Sequence, residues 1–412
     1  MYRPALPWDQ ARRVASAAAA PLAARTARLD EAVGSVLAEP IVALSDLPPF
    51  ASSAMDGYAV SGPSPWLLDT DDTRLAGTAN DSPLRAGTAV PIATGAPLPP
   101  GSDAVLRYED AYVETALHGN RLYPRDPLTG LADDNAVALP AGLDVRPQGE
   151  ECRAGEPLIE AGIVVGPAAV GLAAAAGYDG LDVIPPPVVA VLVVGDELLD
   201  RGLPRPGRVR DALGPLVPPW LASLGARANP PIRVPDSRQA LLDEIDDSTA
   251  DVIVTTGSTA SGPVDHLHDV LDHLGARWIV DGVQVRPGHP MLLAARPDGR
   301  HVVGLPGNPL AAVSGLLTLA TPLIASLCGQ PARGLATTDA LLLEGATPHP
   351  QDTRLVPVVL ELGDTVVVAR RLRFGGPAML RGLALADGMA VIPPGAGGRG
   401  TRVEVLPLPS IA

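Results

Sequence analysis

Three short stretches gather groups able to do chemistry: Gly195-Asp196-Glu197; Thr256-Gly257-Ser258-Thr259-Ala260-Ser261-Gly262 with Asp265 just beyond; and Pro306-Gly307-Asn308-Pro309. Glycine, hydroxyl and carboxylate in one place suit a phosphate and its counter-ion. Backbone N–H groups at a helix start take the anion. Carboxylates take a hard cation such as Mg²⁺, held mostly through water and the substrate's own phosphate. Asp236, ahead of a helical pattern, is a further acid of this kind. The plainer alternative is that Asp236 and Asp265 cap helices, since both stand where N-caps are expected. Arg286-Pro287-Gly288-His289-Pro290 sets a guanidinium and an imidazole on either side of a turn. Arginine grips an oxyanion with two parallel bonds, and histidine binds or moves a proton. An ordinary surface turn is the alternative. His266, His268 and His273 include no pair four residues apart, so they do not read as a zinc site.

These groups need a scaffold that brings strand ends together. Val188–Val194, the run starting at Asp251 and Val302–Leu305 are apolar and β-branched, the pattern of strands buried on both faces. Helical patterns fall near 214–224, 237–246, 264–274 and 310–327. Alternating strands and helices predict an α/β domain with a parallel sheet, whose ligand lies beyond the carboxyl ends of the strands.

On either side the pattern changes. A helix is predicted from Trp8 to about Ala24. Leu47 to Val60 is a Pro-stiffened loop with a tight turn at Asp56-Gly57, where Asp56 reads most simply as a turn-former. Val60 to Asp144 is punctuated by Pro and Gly and reads as a small β-rich domain; Thr94-Gly95 is a turn within it. Pro185–Pro187 marks a stiff linker. After Gln330, short β runs at 355–362, 365–369, 389–392 and 403–406 predict a small C-terminal barrel.

Composition removes several classes of function. A net charge of −15 argues against nucleic acid as the main partner. All 31 basic residues are arginine, so neither a Schiff base nor a lysine general base is available. There is no Gly-x-Ser-x-Gly elbow and no Gly-Lys-Ser/Thr loop. Cys152 and Cys328 lie far apart, as expected in a reducing compartment. The N-terminus lacks a signal peptide's apolar core. No uncharged run is read as reaching the ~18–20 residues of a membrane span. A cytoplasmic protein without membrane or nucleic-acid partners is expected.

Read in order, the motifs resemble the molybdopterin molybdenumtransferase family, of the MoeA and gephyrin E-domain type. They are Ser53-Ala-Met-Asp-Gly-Tyr-Ala59; Thr94-Gly-Ala-Pro-Leu-Pro with Asp103 and Glu109; Arg146 with Gly149-Glu-Glu151; Gly195-Asp-Glu-Leu198; Ala250 to Gly257; Pro287-Gly288 with Pro290; Gly304-Leu-Pro-Gly-Asn-Pro309; and Leu383 to Pro393. The resemblance implies a multidomain α/β plus β protein. Residues 1–45 and 146–184 would form an elongated N-terminal domain, 46–145 an inserted β domain, 185–329 a molybdopterin-binding α/β domain and 330–412 a C-terminal β-barrel domain. It implies a homodimer with the active site between the α/β domain of one subunit and the N-terminal region of the other. The implied reaction joins molybdate to adenylylated molybdopterin with Mg²⁺ and releases AMP.

Carried onto this chain, the resemblance makes Asp56, Thr94, Arg146, Glu151 and Glu197 catalytic. Thr256, Gly257, Ser258, Ser261, Arg286, His289, Pro306, Gly307 and Asn308 would bind substrate, and Asp196, Asp236 and Asp265 the metal. The chain departs from the family pattern at Ser258, where a second glycine is usual; at His289, in place of lysine; and at Asp211-Ala212-Leu213, in place of Asp-Ser-Asn. These departures define a second reading, a non-catalytic paralogue that binds molybdopterin or the finished cofactor. A third reading is a nucleotide hydrolase of the competence-damage type built on the same α/β domain.

Overall fold

The computed structural model describes residues 4–78, 81–115, 119–126, 129–133, 135–259, 265–330, 336–363 and 366–409. Ser261 of the glycine loop lies outside the described residues.

Val188–Val194, Val252–Thr256 and His301–Leu305 are neighbouring parallel strands, with Val189 beside Val252 and Ile253 beside Val302. All their residues are buried except Val188. One face packs on the helix Leu213–Ser223 and the helical run Pro309–Leu327. The other packs on Arg238–Asp247 and Leu267–His273. Cover on both faces explains the unbroken apolar runs. The sheet is mixed rather than wholly parallel: Leu292–Ala295 runs antiparallel to both His301–Leu305 and Arg277–Asp281. The cause is local, because a connection as short as Arg296–Arg300 joins only antiparallel strands.

Two readings of the sequence need correction. The first helix is Trp8–Ser16, and the alanines expected to extend it to about Ala24 do not. Pro21 disfavours a helical Ala20, and the Leu22 N–H is held by the Leu327 carbonyl at 2.9 Å. Tertiary contact outweighs alanine's helix propensity there. The run Pro309–Leu327 does reach membrane-spanning length and hydropathy, with 19 residues, but it is buried in the α/β core. Its middle, Leu316–Ala320, is a π-turn. Wider turns displace backbone carbonyls, and the buried Arg12 guanidinium donates to the Leu317 carbonyl while the Trp8 indole donates to Thr318.

Arg25–Arg28 and Val36–Leu37 pair with Gly180–Ile184, and Ile41–Val42 pairs with Pro157–Ile159. Segments on either side of residues 46–145 therefore share one core, with Ala27, Leu37, Ile41, Val165 and Val183 at its centre. Between them lies a six-stranded sheet, ordered Ala111–Glu114, Asn120–Pro124, Trp66–Leu68, Thr88–Ile92, Gly57–Val60, Ala104–Arg107.

The C-terminal strands close into a five-stranded barrel, from Thr353–Leu362 through Val367–Arg371, Thr338–Leu342, Arg402–Pro407 and Gly388–Ile392 back to Thr353–Leu362. Thr338–Leu342 was not legible in the sequence. The barrel is also joined to the rest of the chain: Val283–Arg286 pairs in parallel with Thr353–Leu362 on one side and with Leu6–Pro7 on the other.

Candidate active site

The carboxyl ends of the three parallel strands open into a cavity of about 750 Å³. It is lined by Glu197, Asp236, Thr256, Gly257, Ser258, Asp265, Gly307 and Asn308, all expected from the sequence. Thr256 is 2% exposed, and its hydroxyl has no hydrogen-bond partner among the described residues. An orphaned buried hydroxyl costs about 1–3 kcal/mol unless something arrives to meet it. Gly257 adopts φ +92°, its N–H bonds the Leu305 carbonyl at 2.8 Å, and a Cβ there would lie 3.2 Å from the Val194 carbonyl. Glycine at this point lets the three strand ends meet.

Ser258 adopts φ +59°, a left-handed backbone that favours glycine. Its Oγ accepts from the His266 N–H at 2.7 Å, beside the start of the Leu267–His273 helix. Asp236 is not a helix cap. Ser237 holds that position and accepts from the Ala240 N–H. Asp236 instead receives the Asp196 N–H at 3.1 Å and lines the cavity. The cap of the next helix is His266, so Asp265 does not cap it either. Asp196 contributes its backbone, with its carbonyl taken by the Arg208 guanidinium; its side chain does not line the cavity.

Asp211 lines the cavity and was not expected to. One carboxylate oxygen takes the Leu213 and Gly214 N–H groups at 3.0 and 2.9 Å, and the other takes Arg233 at 3.1 Å. A Cβ on Gly214 would stand 2.2 Å from that carboxylate, so a larger residue there would displace the Asp211 side chain. An Asp three residues before a glycine at a helix start was the available signal. Ala378 and Leu380, from the barrel segment, complete the wall and carried none.

Glu197, Asp211, Asp236 and Asp265, against the guanidinium of Arg210, give this cavity a mainly acidic lining, which favours a cation beside any phosphate that enters it. Among the described residues no three acidic, histidine or cysteine side chains converge into a ready-made metal cage.

The strand-end helix at Pro309 departs from expectation. Its first free amides, Leu310 and Ala311, both donate to the Pro377 carbonyl, at 2.9 and 3.3 Å. A carbonyl from the barrel segment therefore sits where an anion was expected. Pro306 is buried at the end of its strand and does not line the cavity. Arg286 and His289 also stand apart from the cavity lining. Arg286 Nε bonds Asp352 at 2.8 Å, and His289 Nδ1 donates to the Val283 carbonyl at 2.8 Å. Two groups expected to capture an anion are thus engaged within the chain, and neither engagement was readable from sequence.

A second group forms on the inserted sheet. Asp56 ends the loop before Gly57–Val60, and its Oδ1 accepts from the Thr94 N–H at 2.7 Å and the Thr94 hydroxyl at 3.0 Å. Those two bonds, the backbone one foremost, hold its carboxyl below the usual carboxylate range. The turn is fixed by Gly57, where a Cβ would stand 2.1 Å from the Leu106 carbonyl. Arg146 lies on the strand paired with Ser52–Ser53, directly opposite Ser52. Glu151 donates its N–H to the Leu47 carbonyl at 2.8 Å and has an exposed side chain. No residue between 46 and 151 lines the 750 Å³ cavity.

Three family models match the chain in succession: the MoeA N-terminal region (domains I and II) at residues 6–177, the probable molybdopterin binding domain at 190–326, and the MoeA C-terminal region (domain IV) at 339–408. The molybdopterin molybdenumtransferase of Staphylococcus aureus strain N315 is 28% identical over 397 residues, spanning 92% of this chain and 90% of that protein. The Staphylococcus epidermidis protein of the same name is 27% identical over 394 residues, with the same coverages. Among solved structures, a molybdopterin biosynthesis MoeA protein from Pyrococcus horikoshii superposes with a TM-score of 0.75 and 25% identity, covering 99% of this chain and 100% of that one. A second MoeA structure from the same organism, 20% identical with a TM-score of 0.68 over 98% of this chain and all of that one, shares the fold.

Proposed function

Because the chain belongs to the MoeA family, we propose that it is a molybdopterin molybdenumtransferase of molybdenum cofactor biosynthesis, joining molybdate to adenylylated molybdopterin and releasing AMP. The observation that carries this reading is the 750 Å³ cavity at three parallel strand ends, with the orphaned Thr256 hydroxyl in its wall. An enclosure of that size suits one small-molecule substrate.

The substrate's phosphate would meet the Thr256 hydroxyl and the Asn308 side chain. Asp236 and Asp265, with Glu197, would hold Mg²⁺, which when bound neutralises phosphate charge and polarises the phosphorus–oxygen bonds. The Thr94 N–H and hydroxyl stabilise the Asp56 carboxylate, holding its pKa below the ordinary range. With Oδ1 committed to Thr94, Oδ2 remains to accept a proton or a hydrogen bond from the reacting oxygen. Arg146 would attract molybdate. Glu151 would stand at the edge of this group.

Asp56 and the cavity belong to separate walls in one chain, which supports a homodimer in which each subunit's Asp56 group faces the other's cavity. The four-part division at residues 45, 146, 185 and 330 and a cytoplasmic location belong to the same proposal. The test is AMP release from adenylylated molybdopterin by the purified protein, omitting molybdate and Mg²⁺ in turn. Molybdate-dependent AMP release is expected. Tight binding of substrate without AMP release overturns the transferase reading.

A further inference from the structure

Away from the active-site cavity, the end of the barrel carries a cavity of about 370 Å³ whose wall includes Arg371, Arg373, Arg381, Phe374, Leu385 and Glu344. In a chain of net charge −15, this grouping of guanidinium groups stands out. Arg370, also in the wall, is paired with Glu361 at 2.6 Å, but Arg373 and Arg381 are exposed. Phe374 is 45% exposed and holds φ +63°, a conformation that costs a bulky residue energy and marks sites where a side chain is held for use. Gly382 makes the arrangement possible, since a Cβ there would stand 2.6 Å from the Arg373 carbonyl. The close approach places the Arg381 guanidinium 4.7 Å from the Phe374 ring centre. Around the arginines, Leu385 is 65% exposed and Met379 46%.

Arginine, an aromatic ring and methionine with leucine at the margin are the composition of a protein interface rather than of a small-molecule pocket. We propose that this face docks an acidic polypeptide segment of a second protein, with its carboxylates on Arg371, Arg373 and Arg381 and its apolar side chains on Phe374 and Leu385. Charge complementarity selects the occupant. The rest of this acidic chain repels an acidic partner, so docking is oriented onto this one face. The same segment reaches the active site: Ala378 and Leu380 line its cavity, and the Pro377 carbonyl covers the amides of Leu310 and Ala311. A partner seated here is positioned to receive what leaves that cavity. The docking itself does not depend on the transferase reading.

The test uses the full chain and a fluorescent twelve-residue peptide of alternating Glu and Leu, with a Gln/Leu peptide as control. Saturable binding of the acidic peptide is expected, weakened at least tenfold by Arg373→Gln with Arg381→Gln and by raising salt. Phe374→Gly relieves the backbone conformation, so it should weaken binding while leaving thermal stability equal or higher. Equal binding of the two peptides overturns the proposal. So does binding unaffected by the arginine changes, or competition by AMP at stoichiometric amounts, which would make this a small-anion site. A loss of stability in Phe374→Gly would make the ring structural and remove it from the surface.

Discussion

At the strand ends of the α/β sheet, several groups of the cavity are held by buried elements: Thr256 is 2% exposed, Gly257 is fixed between two neighbouring strands, and Asp211 is tied to two amides and an arginine, while Glu197 is exposed at the edge. On the inserted sheet, Asp56, Thr94 and Arg146 stand in solvent, and Asp56 is oriented by Thr94 alone. The first region is a walled cavity on rigid strand ends. The second is a reactive carboxylate lacking an enclosure. Neither region is a site by itself, and substitutions should act differently in each.

The largest effect is expected at the open region. Asp56→Asn keeps an oxygen for both Thr94 bonds and removes only the charge, so AMP release should fall at least ~100-fold with melting unchanged. An active Asp56→Asn enzyme would break the contrast by making Asp56 a turn-former. Next, Asp265→Asn in the enclosure should raise the Mg²⁺ concentration for half-maximal activity by about tenfold, measured by titrating Mg²⁺ against AMP release. Unchanged Mg²⁺ dependence would remove this acid from the metal's neighbourhood.

Thr256→Val removes a hydroxyl that nothing among the described residues satisfies. Substrate should bind about five- to tenfold more weakly, while stability rises or stays within about 1 kcal/mol; calorimetry and thermal melting read the two effects separately. Thr94→Val removes one of the two bonds to Asp56 and keeps the backbone one. Asp56 has a lowered folded pKa, so its contribution is present above the ordinary carboxylate range and lost as pH falls through the folded value. The acid limb of the rate profile should therefore move to higher pH in the variant. The smallest effect concerns His301, far from both regions at the opposite end of its strand. Burial lowers its pKa, so the unfolded chain binds the extra proton first and stability should fall as pH drops below about 6.5. His301→Leu should flatten that slope in melts between pH 7 and 5.

The buried strands were legible because cover on both faces leaves an unambiguous run of valine and isoleucine. The cavity's glycines and acids were legible because they follow those runs directly. Asp236 illustrates the limit of local reading. One residue later, Ser237 is the better cap and releases the acid to the cavity, a choice that spacing alone leaves open. Partners distant in sequence were not readable at all. Nothing near Arg286 announces Asp352, and nothing near Leu310 announces the Pro377 carbonyl. The alanines after Ser16 show the opposite error, in which strong local propensity is overruled by the end of another helix. The Asp56–Thr94 pair was expected as two functional residues, but their direct bond appears only in three dimensions.

Val283–Arg286 hydrogen-bonds at once to the N-terminal strand and to the barrel strand Thr353–Leu362, and Arg286 adds its ion pair to Asp352. It acts as a shared hem between units whose cores also meet at Leu355, Met389 and Leu406. Cutting the chain after Gln330 would leave this strand with a bare edge, open to pairing with other molecules. The barrel is therefore protective clothing for the catalytic core as well as a wall of its cavity, and heating should release the two in one cooperative step.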